Sequence, residues 1–232
     1  MADDEATPRK MIFFVVTSSR SGAEFLCSLL RSVRIGNPSG YFNTPKFQLN
    51  DPAGIKAFAA NTFDTYGRRD ILGIKALPGL VQKVMPVLRD EYDLAYVFNT
   101  RRDLVRQAIS LYRAGYDGQW TLKRGDEAKR KRQPPPFDAD AIKSKLTSII
   151  RVNQAIEVFL ADKPHVRTVY ENVVASPRKA ILKVARHLGI EMADAEPASD
   201  MAQQGTAIND KWAAKLDGPG MIEEITQALA KK

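Results

Sequence analysis

An α/β fold, with a mostly parallel central sheet flanked by helices, is predicted by two features of this sequence. Short apolar runs at residues 11–16 (MIFFVV), 71–76 (ILGIKA), 93–99 (DLAYVFN) and 166–170 (VRTVY) have the length and residue types of strands. Longer stretches with apolar residues at helical spacing separate them. Ligands of such sheets sit beyond the carboxyl ends of the strands, so the residues that follow each run deserve the closest reading.

The chain is organised around residues 11–34. The first run is unbroken and apolar, as a fully buried strand should be. Residues 17–22 (TSSRSG) are small and polar around one arginine. From Ala23 onward Phe25, Leu26, Leu29, Leu30 and Val33 give an apolar helix face. Strand, tight polar turn and helix start follow one another. Such a turn aims unpaired backbone N–H groups and the positive helix end at one point. Ser18, Ser19 and Ser21 add hydroxyls, and Arg20 adds a fork of N–H donors suited to phosphate or sulfate oxygens. An ordinary turn with a serine N-cap and a surface arginine fits the same residues. With one glycine and no lysine the turn is not a Walker A loop. Cys27 lies inside the helix as an apolar filler, so it is not a phosphatase loop either.

Residues 36–40 (GNPSG) form a strong turn, and Tyr41 and Phe42 come next, as core plugs or as a wall for substrate. Pro52 opens a helix that buries Ile55, Phe58, Ala59, Phe63 and Tyr66. A helix over 78–88 is interrupted by Pro86. The segment 100–103 (TRRD) caps a helix to about residue 115, and Ser110 follows Arg102 by two turns, so that one arginine and one hydroxyl share a face. Those two could grip a phosphate, or be a surface arginine and a packed serine. The basic, proline-rich stretch at about 117–137, with Trp120, reads as a mobile surface insert. Residues 138–162 form a long helix, Ser176-Pro177 caps another that stops at Gly189, and two short helices close the chain.

The length of 232 residues fits a loose N-terminus at 1–10 and a single domain over 11–232. An apolar content of 44% with 27% charged residues describes a soluble globular chain. A net charge of +8 favours anionic ligands. One cysteine excludes an internal disulfide, and with two histidines it makes a structural zinc site improbable. The acidic start and the short first apolar run argue against a signal peptide or membrane span, and a cytoplasmic location is expected.

Taken together, SSRSG at 18–22, RRDLVRQAISLYRA at 101–114 and Trp120 resemble the bacterial trehalose 2-sulfotransferase family. Its members use 3′-phosphoadenosine 5′-phosphosulfate (PAPS). The likeness extends through Val169-Tyr170-Glu171 to Gln203, Gln204, Asn209 and Trp212, over about residues 11–216. It implies a P-loop-like sulfotransferase fold and PAPS as co-substrate, with no metal. Ser19, Arg20, Ser21, Gly22, Ala23, Glu24 and Phe25 would hold the 5′-phosphosulfate, and Arg102 and Ser110 the 3′-phosphate. Tyr41, Phe42 and Trp120 would face a carbohydrate or glycolipid acceptor. A homodimer is compatible with the resemblance; no nucleic-acid partner is implied. Arg20, beside the bridging oxygen, would neutralise charge on the leaving group, as in-line sulfuryl transfer requires.

Two departures stand out. Ala23-Glu24 replaces the family's Ser-Thr, which puts a carboxylate near a phosphate unless Glu24 points away, caps an N–H or pairs with Arg20. Gly40 occupies the place of the family's glutamate, its presumed general base, which leaves Glu24 as the candidate stand-in and Asp51 as a weaker one. Three rivals stay open: a nucleotide-dependent phosphoryl transferase, a PAPS-binding homologue without catalysis, and a nucleic-acid binder working through residues 123–132.

Overall fold

The computed structural model describes residues 9–43, 51–126, 133–192, 194–202, 205 and 207–230. Residues 1–8, most of the basic run (127–132), Gln203, Gln204 and Thr206 lie outside them. Four strands, β1 (Met11–Thr17), β2 (Ile71–Ala76), β3 (Asp93–Thr100) and β4 (His165–Val169), form one sheet in the order β2-β1-β3-β4. Every pairing is parallel. Helices α1 (Ala23–Ser32) and α2 (Pro52–Tyr66) join β1 to β2, α3 (Pro78–Leu88) joins β2 to β3, and α4 (Leu104–Asp117) and α5 (Ala139–Leu160) join β3 to β4. Helices α6 (Tyr170–Ala175), α7 (Pro177–His187), α8 (Ala207–Ala213) and α9 (Gly218–Ala230) follow.

The unbroken apolar run of β1 is explained by burial on both faces. Ile12, Phe14 and Val16 pack in a core with α2, α3 and α5, while Phe13 and Val15 pack against α1 and α7 on the other side. A third core joins α4 and α5 to α8 and α9 through Ala108, Ile109, Leu146, Trp212 and Ile225. Among the described residues no helix is long and apolar enough to cross a membrane.

The structure departs from the sequence expectations at four places. Pro86 does not interrupt α3, which continues to Leu88; Pro86 itself is exposed, and so close to the helix end it removes only one hydrogen bond of the last turn. Helix α4 runs beyond residue 115 and stops at Gly118, a left-handed cap at φ 69°. Helix α6 follows β4 directly, before Ser176, whose side chain makes no cap hydrogen bond to α7. The described start of the insert is tied down: Leu122 is buried, Arg124 N donates to Asp200 O (2.8 Å) and Ala202 N donates to Leu122 O (2.9 Å).

Candidate functional site

The polar turn after β1 is held from beneath by buried side chains. Asn99, at the end of β3 and fully buried, donates from Nδ2 to Ser21 O (3.2 Å) and Ser21 Oγ (2.9 Å). Its Oδ1 accepts from Thr168 Oγ1 of β4 (3.1 Å), and its backbone oxygen accepts from Thr17 Oγ1 (3.0 Å). Gln107 of α4, equally buried, donates from Nε2 to Ser18 Oγ (3.0 Å) and Ser19 O (2.8 Å). Two strands and a helix therefore fix the turn. Fixed donors lose no freedom when a ligand arrives, which is what an anion cradle needs.

The turn is strained where it is most constrained. Arg20 has φ 64° and Gly22 φ 85°, both left-handed. At Gly22 a side chain is disfavoured for a second reason, since an added Cβ would lie 2.2 Å from the Tyr170 ring, which would have to shift. Arg20 is held in its conformation by Nε donating to Ser110 Oγ (2.9 Å) and Nη1 donating to the Trp120 carbonyl. Gly22 is the N-cap of α1, and no side chain caps that helix. Its N-terminal turn opens onto a cavity of about 820 Å³, large enough for a nucleotide.

The cavity lies beyond the carboxyl ends of all four strands. Its wall is made by residues 17–20 and 22–25 at and after the end of β1, Lys75 to Leu77 at the end of β2, Arg101 after β3, and Tyr170 after β4. Ser110, Trp120, Leu122, Met201 and Asn209 close it from the side of α4. The Arg101 side chain is largely buried; its Nε has no hydrogen-bond partner and lies 3.8 Å from Glu171 Oε1. The Arg101 guanidinium sits 5.0 Å over the Tyr170 ring.

Glu24 is the one carboxylate among the described residues of this wall. It pairs with neither Arg20 nor a cap N–H. Its Oε1 accepts from Arg31 Nη2 (2.9 Å) and its Oε2 from Lys75 Nζ. Burial pushes the Glu24 pKa up, but Lys75 and Arg31 outweigh it and hold the carboxyl below its ordinary value.

Of the residues expected at the site, Ser19, Arg20, Gly22, Ala23, Glu24, Phe25, Ser110 and Trp120 line this one cavity. Four do not. Ser21 is fully buried and its hydroxyl is bonded to Thr17 and Asn99, so it shapes the loop from inside. Phe42 is a core residue, 3% exposed and edge-on to Phe58 at 4.9 Å. Tyr41 stacks on Tyr66 at 4.8 Å and donates to Asn37 O (2.7 Å). Their apolar area is worth more against α2 than at an open wall; Asn43 lines the cavity from that segment instead. Arg102 is exposed, and its Nη2 donates to Asn172 Oδ1 (3.1 Å). Asn99, Gln107 and Lys75 escaped the sequence reading, and Arg101 was read only as part of the segment that caps α4. The signal for Gln107 was present, because Asp103, Gln107 and Ser110 form a polar strip at helical spacing beside the apolar face of α4.

The model of the Stf0 sulphotransferase family matches residues 74–217, from the end of β2 through α8. The chain belongs to this family. The fold agrees, as shown by three solved sulfotransferase structures. The sulfotransferase domain of the Synechococcus PCC 7002 olefin synthase is 14% identical, with 97% of this chain and 96% of that one covered and a TM-score of 0.53. The sulfotransferase from Alicyclobacillus acidocaldarius is 16% identical, with 94% and 96% covered and a TM-score of 0.51. Mouse sulfotransferase SULT7A1 complexed with PAP is 13% identical, with 97% and 85% covered and a TM-score of 0.58. No curated protein matches the chain in sequence. The turn after β1 lies outside the span matched to the family, so the geometry described above is what ties it to the rest of the Stf0 fold.

Proposed function

We propose that this Stf0 sulphotransferase moves the sulfuryl group of PAPS to a hydroxyl of a carbohydrate or glycolipid, with trehalose and its glycolipids as the first candidates, in a single cytoplasmic domain. The observation that carries this is the hydrogen bond from Arg20 to Ser110 on the cavity wall. It brings together two anion motifs that lie 90 residues apart. The 5′-phosphosulfate belongs in the turn of Ser19, Arg20, Gly22, Ala23, Glu24 and Phe25, at the N-terminus of α1. The 3′-phosphate belongs with Ser110 on the wall; Arg102, outside the cavity in the empty site, reaches it by giving up its exposed bond to Asn172, and Arg101 adds charge from the wall.

In the transfer, the acceptor oxygen forms a bond to sulfur as the bond from sulfur to the bridging oxygen of the 5′-phosphate breaks. Arg20 balances the charge that develops on that leaving oxygen. Glu24 takes the acceptor proton. A carboxylate held low is a weak base, which a loose transition state tolerates because the acceptor loses its proton late. Trp120, half-exposed at the mouth, supplies a flat apolar surface for a sugar ring.

The test is incubation with sulfur-labelled PAPS and trehalose or a trehalose glycolipid, following label in the acceptor. Transfer to one of them is expected. Protonation of Glu24 should cost kcat/KM nothing as pH falls from neutrality to about 4.5, the ordinary value for Glu24. The fall at about pH 6 belongs to the 3′-phosphate of PAPS, which takes up one proton there. The loss due to Glu24 should come only below its ordinary value, as the paired carboxylate of the free enzyme is protonated. A drop at about pH 6 steeper than the single proton of the PAPS 3′-phosphate would contradict Glu24 as the base. A second reading, a homologue that binds PAPS without turnover, is favoured by Gly40 in the place of the family's glutamate. Tight binding of the bisphosphate without turnover of any acceptor would point to it.

A further inference from the structure

Glu24 stands in the first turn of α1, where a carboxylate stabilises the free helix but repels an anion arriving at the same end. Two cations meet it, and they are placed differently. Arg31 is anchored twice, to Glu24 Oε1 (2.9 Å) and to Pro38 O (2.7 Å), and it does not line the cavity. Lys75 reaches Glu24 Oε2 from the end of β2 and does line the cavity, with its side chain 23% exposed. Among the described residues Glu24 is the hydrogen-bond partner of its ammonium. An ammonium on a flexible stem changes partners easily, whereas a guanidinium with two anchors does not.

Resting on the phosphosulfate assignment above, we propose that Lys75 is a further cation of the PAPS site and that Glu24 is its resident anion. In the empty site Glu24 Oε2 holds the Lys75 ammonium at the wall. The arriving co-substrate draws Lys75 onto its 5′-phosphosulfate oxygens, and Arg31 keeps Glu24 in place. The exchange releases Oε2, the oxygen that then faces the acceptor hydroxyl and takes its proton as the oxygen–sulfur bond forms. Nucleotide binding thus prepares the base. Because one ion pair is given up for another, the two residues act on nucleotide affinity with opposite signs.

The experiment is calorimetric titration of adenosine 3′,5′-bisphosphate into wild type, Lys75→Met, Glu24→Gln and the double variant. Lys75→Met is expected to weaken binding about tenfold or more, because a cation is lost and the Glu24 charge then faces the phosphate. Glu24→Gln is expected to tighten binding about threefold or more while lowering turnover, a split between Kd and kcat that a merely structural carboxylate would not give. In the double variant affinity should return to about the wild-type value, whereas independent effects of about tenfold and threefold would leave it about threefold weaker; that excess recovery is the signature of direct coupling. Lys75→Arg, which keeps the charge, should bind within about threefold of wild type, and with Glu24→Gln it carries the test if Lys75→Met fails to fold. Unchanged or weakened binding in Glu24→Gln, or unchanged binding in Lys75→Met, would overturn the proposal while wild-type binding leaves the PAPS assignment standing. No binding by wild type would overturn both.

Discussion

Replacing Arg20 with alanine is expected to lower the rate of sulfuryl transfer about a hundred- to a thousandfold, the effect of removing one preorganised donor to a developing negative charge. The size follows from how firmly the side chain is set. Arg20 is held in a left-handed conformation by Ser110 and the Trp120 carbonyl, so its charge needs no reorganisation when the leaving oxygen becomes an anion. Lysine at the same position should recover little of the loss. It offers a point charge without the fork that spans Ser110 and Trp120. The variant should remain folded, because the turn is secured by Asn99 and Gln107 and not by the arginine. Steady-state transfer of labelled sulfate measures the loss, and a change below about fivefold would remove Arg20 from the chemistry.

The second large effect falls on stability. Gly22→Ala introduces a Cβ that would lie 2.2 Å from the Tyr170 ring, at a φ of 85° that disfavours any side chain. The left-handed conformation contributes about 1–2 kcal/mol and the forced repacking of Tyr170 about 1–3 kcal/mol. A destabilisation of about 3 kcal/mol would lower the melting temperature of a chain this size by about 6–12 °C. Nucleotide binding should weaken as well, since Gly22 opens α1 and Tyr170 stands on the cavity wall. Melting within 2 °C of wild type, measured by calorimetry, would show that the contact does not constrain the turn.

What could be read before the structure depended on whether a signal was local. β1, the turn and α1 are contiguous, and apolar run, polar turn and helical spacing each leave a pattern in neighbouring residues. The same holds for Arg20 and Ser110, each assigned to an anion from its own motif and both found on the cavity wall. Their direct bond was invisible, because it depends on how α4 lies across the end of β1. Asn99 and Gln107 read as the end of a strand and a helix residue until the fold puts them under the loop. Phe42 shows the opposite failure. An aromatic beside a predicted site reads as a substrate wall, yet burial against Phe58 of α2 decided its place. Glu24 raised a conflict that no local pattern could resolve. The answer came from Lys75, 51 residues away on β2.

If this cavity is a PAPS site, it will distinguish adenosine 3′,5′-bisphosphate from ADP, and titration of each into the protein measures the difference. The two ligands share the adenosine and the 5′-phosphate, and the bisphosphate alone carries the 3′-phosphate that Ser110, Arg102 and Arg101 are assigned to hold. The Kd for the bisphosphate should be about a hundredfold lower than for ADP, since a charged group bound by arginine and hydroxyl is worth about 2–3 kcal/mol. Equal affinities, or no binding of the bisphosphate, would contradict a PAPS site in this cavity.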